Sequence, residues 1–350
     1  MRTYTTWFRQ KITLLFPSLQ ACFCLLFFTA FSAPNESAVQ LSTLTADIPR
    51  PSKFVTVDYG VIDAYARKTP ESATRNLNTL SDYLTAPARS ELAKARSVYA
   101  WITSHVQYDE DAYSGQRYSS ETEYAGRVLR SRKTVCTGFA LLYKHLLNRA
   151  GIEVVNVKGY SRTNDSEAGQ PIRYIDHEWN AVRLDGDWYL VDIAWAQTTA
   201  KGGQPNDFYF LTEPVAFGAN HFPADQRWQL LDKPFSKAQF DQFPKIYDAY
   251  FRLGFDDNFP KTGLIRSTNA VTLTLQTSQP VEFICSLGRQ NGSTTSHVPI
   301  SIQLTADGYR LTVPIKQRGT HTLHVYAKPK GARTERYKSY EAISAFTVVY

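Results

Sequence analysis

Apolar positions along the chain change period twice. Leu92, Ala95, Val98, Tyr99, Ile102, His105 and Val106 recur at helical spacing, and Ser90 is placed to cap that helix. A second helix is predicted over about 122–130. In a third, Phe139, Ala140, Leu142, Tyr143, Leu146, Leu147 and Ala150 share a face, with Thr134 as the expected cap and Gly151 as the stop. The period then becomes that of strands. Residues 152–160 are rich in β-branched side chains, 161–176 are polar, and 178–184 and 188–193 flank Asp185-Gly186, a strong short hairpin signal. A short strand at 208–211 and an aromatic, proline-containing connector with a short helix near 246–253 follow. Beyond 262 only strand patterns remain, at 271–275, 281–287, 300–304, 309–315, 321–327 and 345–349. This order predicts an α+β protein: helices packed on an antiparallel sheet, then an all-β, Ig-like sandwich of about 90 residues.

The first 33 residues stand apart. Residues 1–11 are basic, 12–33 are largely apolar, and the run closes on Ala30-Phe31-Ser32-Ala33. That order predicts a signal peptide over 1–33. An uncleaved anchor is the alternative, weakened by Pro17 and Gln20. The expected organisation is a linker or arm over 34–70, a catalytic domain over 71–259 and the sandwich over 260–350. The expected location is secreted, periplasmic or cell envelope, with no stable membrane span after the signal is removed.

Composition narrows the classes. With 21 Tyr and 20 Phe the chain is globular. Loss of Arg2, Arg9 and Lys11 with the leader takes the formal charge from +7 to +4, too mild an excess to imply nucleic acid. The cluster Lys328, Lys330, Arg333, Arg336 and Lys338 reads as a solvated hairpin tip. Cys22 and Cys24 fall in the leader, which leaves Cys136 and Cys285. Two distant cysteines are not a disulfide framework, and no Cys/His spacing suggests zinc. No cofactor or metal signature is present; Gly202-Gly203 is a turn with no following lysine motif.

A retained thiol outside the cytoplasm calls for a functional explanation. Cys136 falls on the first turn of the third predicted helix, where the helix end lowers a thiol's pKa and offers N–H groups to an oxyanion. Cys285 sits in a strand-like run and is expected to be core. A two-residue turn at Asp185-Gly186 sets Trp179 opposite Asp192 and makes His177 the diagonal neighbour of Asp192 on the same face, roughly 7–8 Å away along the backbone. A thiolate needs a base, and the base an orienting acceptor. Trp179, Trp188 and Trp195 are expected to half-bury the pair. Asn180 falls on the opposite face. His221 is expected to pack in a turn, with lining the cleft as its lesser role. His321 and His324 point to opposite faces of one strand and are expected to be structural.

Val135-Cys136-Thr137-Gly138-Phe139, followed by Arg149-Ala150-Gly151-Ile152-Glu153-Val154, resembles the nucleophile helix of the transglutaminase-like superfamily. His177-Glu178-Trp179-Asn180-Ala181-Val182 and Trp188-Tyr189-Leu190-Val191-Asp192 are similar to its His and Asp strands, and Trp101-Ile102 and Tyr108-Asp109 to its preceding helix end. Phe208-Tyr209-Phe210-Leu211-Thr212, Asn220-His221-Phe222-Pro223 and Trp228-Gln229-Leu230-Leu231 resemble the kyphoscoliosis-peptidase branch. The resemblance implies a papain-like core with Cys136 as nucleophile, His177 as base and Asp192 as orienter. It implies acyl transfer or hydrolysis at protein or peptide amides, as a peptidase, amidase or cross-linking transglutaminase. The alternative is a catalytically silent adaptor that binds protein partners through the sandwich.

Overall fold

The computed structural model describes residues 51–112, 118–277, 279–290, 295–331 and 339–350. The leader, Cys22, Cys24, Arg333, Arg336 and Lys338 lie outside these residues. No helix among them is long and apolar enough to cross a membrane.

The arm expected over 34–70 carries a helix of its own, α1 (Gly60–Arg67), which packs on α3 and buries Ala66. Then come α2 (Leu77–Thr85), α3 (Glu91–His105), β1 (Gln107–Tyr108), α4 (Glu121–Ser131), β2 (Lys133–Thr134) and α5 (Cys136–Arg149). Ser90 Oγ accepts the Ala93 N–H at 3.1 Å, capping α3 as expected. At the other end of α5, Gly151 takes the left-handed φ of 80° that releases the chain into the sheet. From Cys136 to Tyr143 every residue of α5 is buried, because α2, α3 and α4 pack on one side and the sheet on the other.

That sheet holds β3 (Val154–Ser161), β4 (His177–Leu184), β5 (Asp187–Val191), then, after α6 (Ile193–Thr198), β6 (Phe210–Thr212) and, after α7 (Pro214–Gly218), β7 (His221–Pro223). It is antiparallel, in the order β6-β5-β4-β3-β7. Asp185 and Gly186 both have positive φ, 52° and 93°, and Leu184 pairs with Asp187, the register their turn predicts. The pairing ends at Asn180 with Val191. One residue later the chain leaves the strand for α6, so Ile193 begins a helix instead of ending a strand.

After α8 (Lys237–Gln242), β8 (Lys245–Ile246) and α9 (Asp248–Arg252) come β9 (Leu264–Arg266), β10 (Ala270–Gln276), β11 (Val281–Arg289), β12 (Thr295–Val298), β13 (Ser301–Thr305), β14 (Gly308–Pro314), β15 (Thr320–Pro329) and β16 (Glu341–Val349). One sheet runs β12-β11-β15-β16-β8, with β9 also paired to β16; the other runs β10-β14-β13. Buried residues alternate with more accessible ones along β10 and β15, as in a sandwich. The fold is therefore α+β with an added β-sandwich. The two parts meet through β8: Ser344 pairs with Ile246 and Ala345 with Lys245.

Candidate active site

The entry into α5 is tight. Val135, not Thr134, is the N-cap, and it makes no side-chain cap bond. Thr134 instead lies on β2, and its side chain covers Gly138: a Cβ there would stand 1.9 Å from Thr134 Oγ1, so only glycine fits. The first residue of the helix is Cys136, 3% exposed. The parallel pairing of Tyr108 with Thr134 brings the Tyr108 ring onto Phe139, with centroids 6.2 Å apart. Burial, then the neighbouring Cys136, pushes the Tyr108 hydroxyl up to about 12.

His177 opens β4 and is 6% exposed. Asp192 is fully buried and caps α6, its Oδ1 accepting the Trp195 N–H at 3.0 Å. Its Oδ2 lies 2.7 Å from His177 Nε2. Cys136 lies close enough to act on the ring. Burial opposes a charge on His177, but Asp192 and then Cys136 outweigh it and hold the imidazole well above its ordinary pKa. Burial likewise opposes charge on Asp192; His177, then His221, outweigh it and hold the carboxyl well below its usual range.

His221, expected to pack in a turn with lining the cleft as its lesser role, instead bonds the site's carboxylate. Its Nε2 lies 3.0 Å from the same Asp192 Oδ2, and its Nδ1 3.2 Å from the Phe217 carbonyl. Burial pushes its pKa down to about 4, with Asp192 offsetting only part of the cost. Its strand is admitted by Gly159, where a Cβ would stand 2.3 Å from the Phe222 carbonyl oxygen and 2.4 Å from the Trp179 ring. The only trace of this role in the sequence is the block Asn220-His221-Phe222-Pro223.

Trp179 and Trp195 flank His177, with ring centroids at 6.0 and 5.6 Å. Trp188 does not join them; it packs edge-on against Trp228 at 5.0 Å. Asn180 faces α5, donating to the Ala140 carbonyl at 3.1 Å and to Asn156 at 2.9 Å. Burial alone pushes the Cys285 thiol up to about 12. His321 bonds the Gln317 carbonyl, and His324 reaches Asp165 at 2.9 Å, an acid distant in sequence.

His177, Asp192 and His221 also form a group whose ligand atoms all lie within 4.8 Å of one another. Two ligands held by a tetrahedral ion at about 2.0–2.2 Å stand roughly 3.3 Å apart. The 2.7 Å contact between His177 and Asp192 is therefore hydrogen-bond geometry.

Comparison with known proteins agrees with the fold. The model of the transglutaminase-like superfamily matches residues 78–193, the stretch that holds Cys136, His177 and Asp192. The chain therefore contains a transglutaminase-like domain. Residues 237–350 match the KY-like, immunoglobulin-like domain. The chain is similar to kyphoscoliosis peptidase of Mus musculus, 35% identical over 261 residues that make up 72% of this chain and 38% of that protein. The Homo sapiens kyphoscoliosis peptidase is 33% identical over 276 residues, 76% and 40% of the two chains. The Lim and transglutaminase domain protein ltd-1 of Caenorhabditis elegans is 30% identical over 231 residues, 59% and 31%. The chain thus spans about two-fifths of the length of the two kyphoscoliosis peptidases.

Proposed function

We propose that this chain is a cysteine acyl-transfer enzyme acting on protein or peptide amides, with Cys136 as nucleophile, His177 as acid and base, and Asp192 as orienter. The observation that carries the reading is a buried imidazole held at 2.7 Å from a carboxylate on one nitrogen, with a helix-start thiol beside the ring. The Cys136 sulfur attacks the amide carbonyl carbon, and His177 passes its proton to the leaving amine, giving a thioester. Water or a second amine then attacks that carbon, His177 takes the proton, and the thiolate leaves. The Cys136 N–H, at the uncapped helix start, is placed to donate to the oxyanion. Water as acceptor makes a peptidase or amidase; an amine makes a cross-linking transglutaminase. The basic, apolar, small-residue order of the first 33 residues supports action outside the cytoplasm, which N-terminal sequencing of the mature protein tests: a start near Pro34 is expected.

One observation favours the silent-adaptor reading. Cys136 and His177 are only 3% and 6% exposed, so a substrate carbonyl reaches the sulfur only after neighbouring side chains move. Activity-based labelling with a peptide library and an amine donor, on wild type and Cys136→Ala, decides between the two. Labelling that depends on Cys136 supports the enzyme; a thiol inert to every probe supports the adaptor.

A further inference from the structure

We propose that His221 is a positioning residue: by donating from Nε2 to the Asp192 oxygen that His177 also uses, it fixes the carboxylate and restrains the basicity of His177. The inference rests on the cysteine-site reading above and concerns how that site is tuned.

A carboxylate oxygen has two lone-pair sites, so Oδ2 serves both rings, at 2.7 and 3.0 Å, while Oδ1 is tied to the Trp195 N–H. Three donors leave the carboxylate no freedom to rotate. They also draw off its charge, which makes it a weaker partner for an imidazolium than a carboxylate bonded to His177 alone. The His221 ring is itself fixed, with Phe217 stacked at 4.1 Å, Trp195 at 4.3 Å and Trp179 edge-on at 5.2 Å.

Both nitrogens of His221 face acceptors, but a neutral ring has one N–H. The contact to the charged oxygen is the shorter and the stronger, so the proton belongs on Nε2. Burial keeps the ring neutral above about pH 4. The other titratable groups around the pair are Cys136 on α5, Tyr108 on β1, Asp176 just before β4, and Tyr209 ahead of β6. Asp176 accepts the Ser161 N–H at 2.8 Å, and Lys245 on β8 stands 4.6 Å from the Trp195 ring. None of these donates to Oδ2, so the sharing is specific to the two histidines.

The test is a ring-nitrogen NMR titration of the full chain as wild type, His221→Phe and His221→Gln, with Cys136 alkylation by iodoacetamide followed against pH on the same samples. His221→Phe keeps an aromatic ring and removes the donor. It should raise the His177 midpoint by about 0.5–1 pH unit. His221→Gln, with an amide N–H at similar reach, should return it to within about 0.3 of wild type. An unchanged midpoint in His221→Phe, or an equal shift in both variants, overturns the proposal. Wild type alone gives a second reading should a variant fail to fold. Its His221 nitrogen shifts must report the Nε2–H tautomer; an Nδ1–H tautomer, bonded to Phe217, overturns the proposal. Alkylation separates the two claims: if Cys136 reacts no more readily than Cys285, the cysteine reading fails, while the titration still decides the histidine sharing.

Discussion

Cys136 and Cys285 are both buried, one in each half of the molecule, and only their neighbours differ. Cys285 lies on β11, between β12 and β15, where burial alone pushes its thiol up to about 12. Cys136 opens a helix and meets an imidazole backed by a carboxylate. The same residue, buried in both places, is thus a core filler in one half and a candidate nucleophile in the other. Burial alone leaves a thiol unreactive, and a nucleophile needs a base beside it. The halves differ in the same way at large. The sandwich core is mostly apolar, whereas the transglutaminase-like half also buries Arg96, His177, Asn180, Asp192 and His221, with Arg96 bonded to Asp63 at 2.6 Å and Asp207 at 2.9 Å.

The largest effect should come from the cysteines themselves. Cys136→Ala should abolish turnover of any amide substrate the library screen finds, a loss of at least about 10³-fold. Cys285→Ala should leave turnover within about twofold of wild type, since its thiol meets no ionisable partner. Iodoacetamide at mildly acid pH should label Cys136 and spare Cys285. Equal labelling of the two would erase the contrast.

Next in size is the orienter. Asp192→Asn should leave circular dichroism unchanged and slow turnover on the order of 10- to 10³-fold, by weakening support for the His177 imidazolium and its tautomer. Cysteine's intrinsic nucleophilicity keeps this below the loss in Cys136→Ala. Asn180→Ala is the control, because Asn180 bonds Ala140 and Asn156 on the far face of β4. A damaging Asn180→Ala beside a harmless Asp192→Asn would mean that the carboxylate is not the orienter.

How legible these arrangements are in sequence follows the same division. In the sandwich, runs of strand-forming residues between turn signals mark the six longer strands, while β9 and β12, three and four residues with little burial, carry no such signal. In the other half, the turn at Asp185-Gly186 is enough to align His177 and Asp192, because two positive φ angles enforce a two-residue hairpin. Thr134 misleads as a cap because it is paired on β2, so the chain enters the helix one residue later, at Val135. Ile193 misleads as a strand residue because Asp192 spends one oxygen capping α6. His221 is illegible because it reaches Asp192 by tertiary structure, through β6, α7 and a strand of three residues. Tertiary partners far apart in sequence leave no periodicity to read.

His221 also gives the transglutaminase-like half a distinct acid response. With an unfolded pKa near 6.5 and a folded value of about 4, the folded state binds fewer protons between those values. Stability therefore falls as pH drops through that window, by about 2 kcal/mol between pH 6.5 and 4.5 for this one group. His177 adds no slope there. Its folded pKa is raised, so its contribution is already complete below the unfolded value and is lost only as pH rises through the folded one. Asp192, held low, gives up its contribution only below about pH 4. Urea midpoints of wild type and His221→Gln at the two pH values should converge toward acid. Parallel behaviour of the two proteins would show that His221 carries no buried neutral proton balance.

The smallest effect tests whether the two halves are separable at all. Arg252 on α9 is buried and bonds Asp248 at 2.9 Å and Glu341 on β16 at 2.7 Å. Lys201 also reaches Glu341, at 2.8 Å, but is itself exposed. Glu341→Gln removes one charge and keeps an acceptor oxygen, and Asp248 still partners the guanidinium, so no buried cation is left alone. The expected cost is about 1 kcal/mol, well short of the penalty for an orphaned buried charge. Lys201→Ala, which removes only an exposed ion pair, should cost less than about 0.5 kcal/mol. Both variants should unfold in one transition by tryptophan fluorescence and by the loss of the native reactivity of Cys136 toward iodoacetamide. The reason is structural: β16 is hydrogen-bonded to β8 at Ser344 and Ala345, and Thr347 bonds the Ala168 carbonyl in the loop that leads to His177. A sheet that crosses the junction cannot lose its last strand without exposing Ile246 and Tyr250 beneath it, both fully buried. An early transition in Glu341→Gln that melts the sandwich while Cys136 keeps its wild-type reactivity would show the opposite, that the contrast between the two cysteines is one between independent domains.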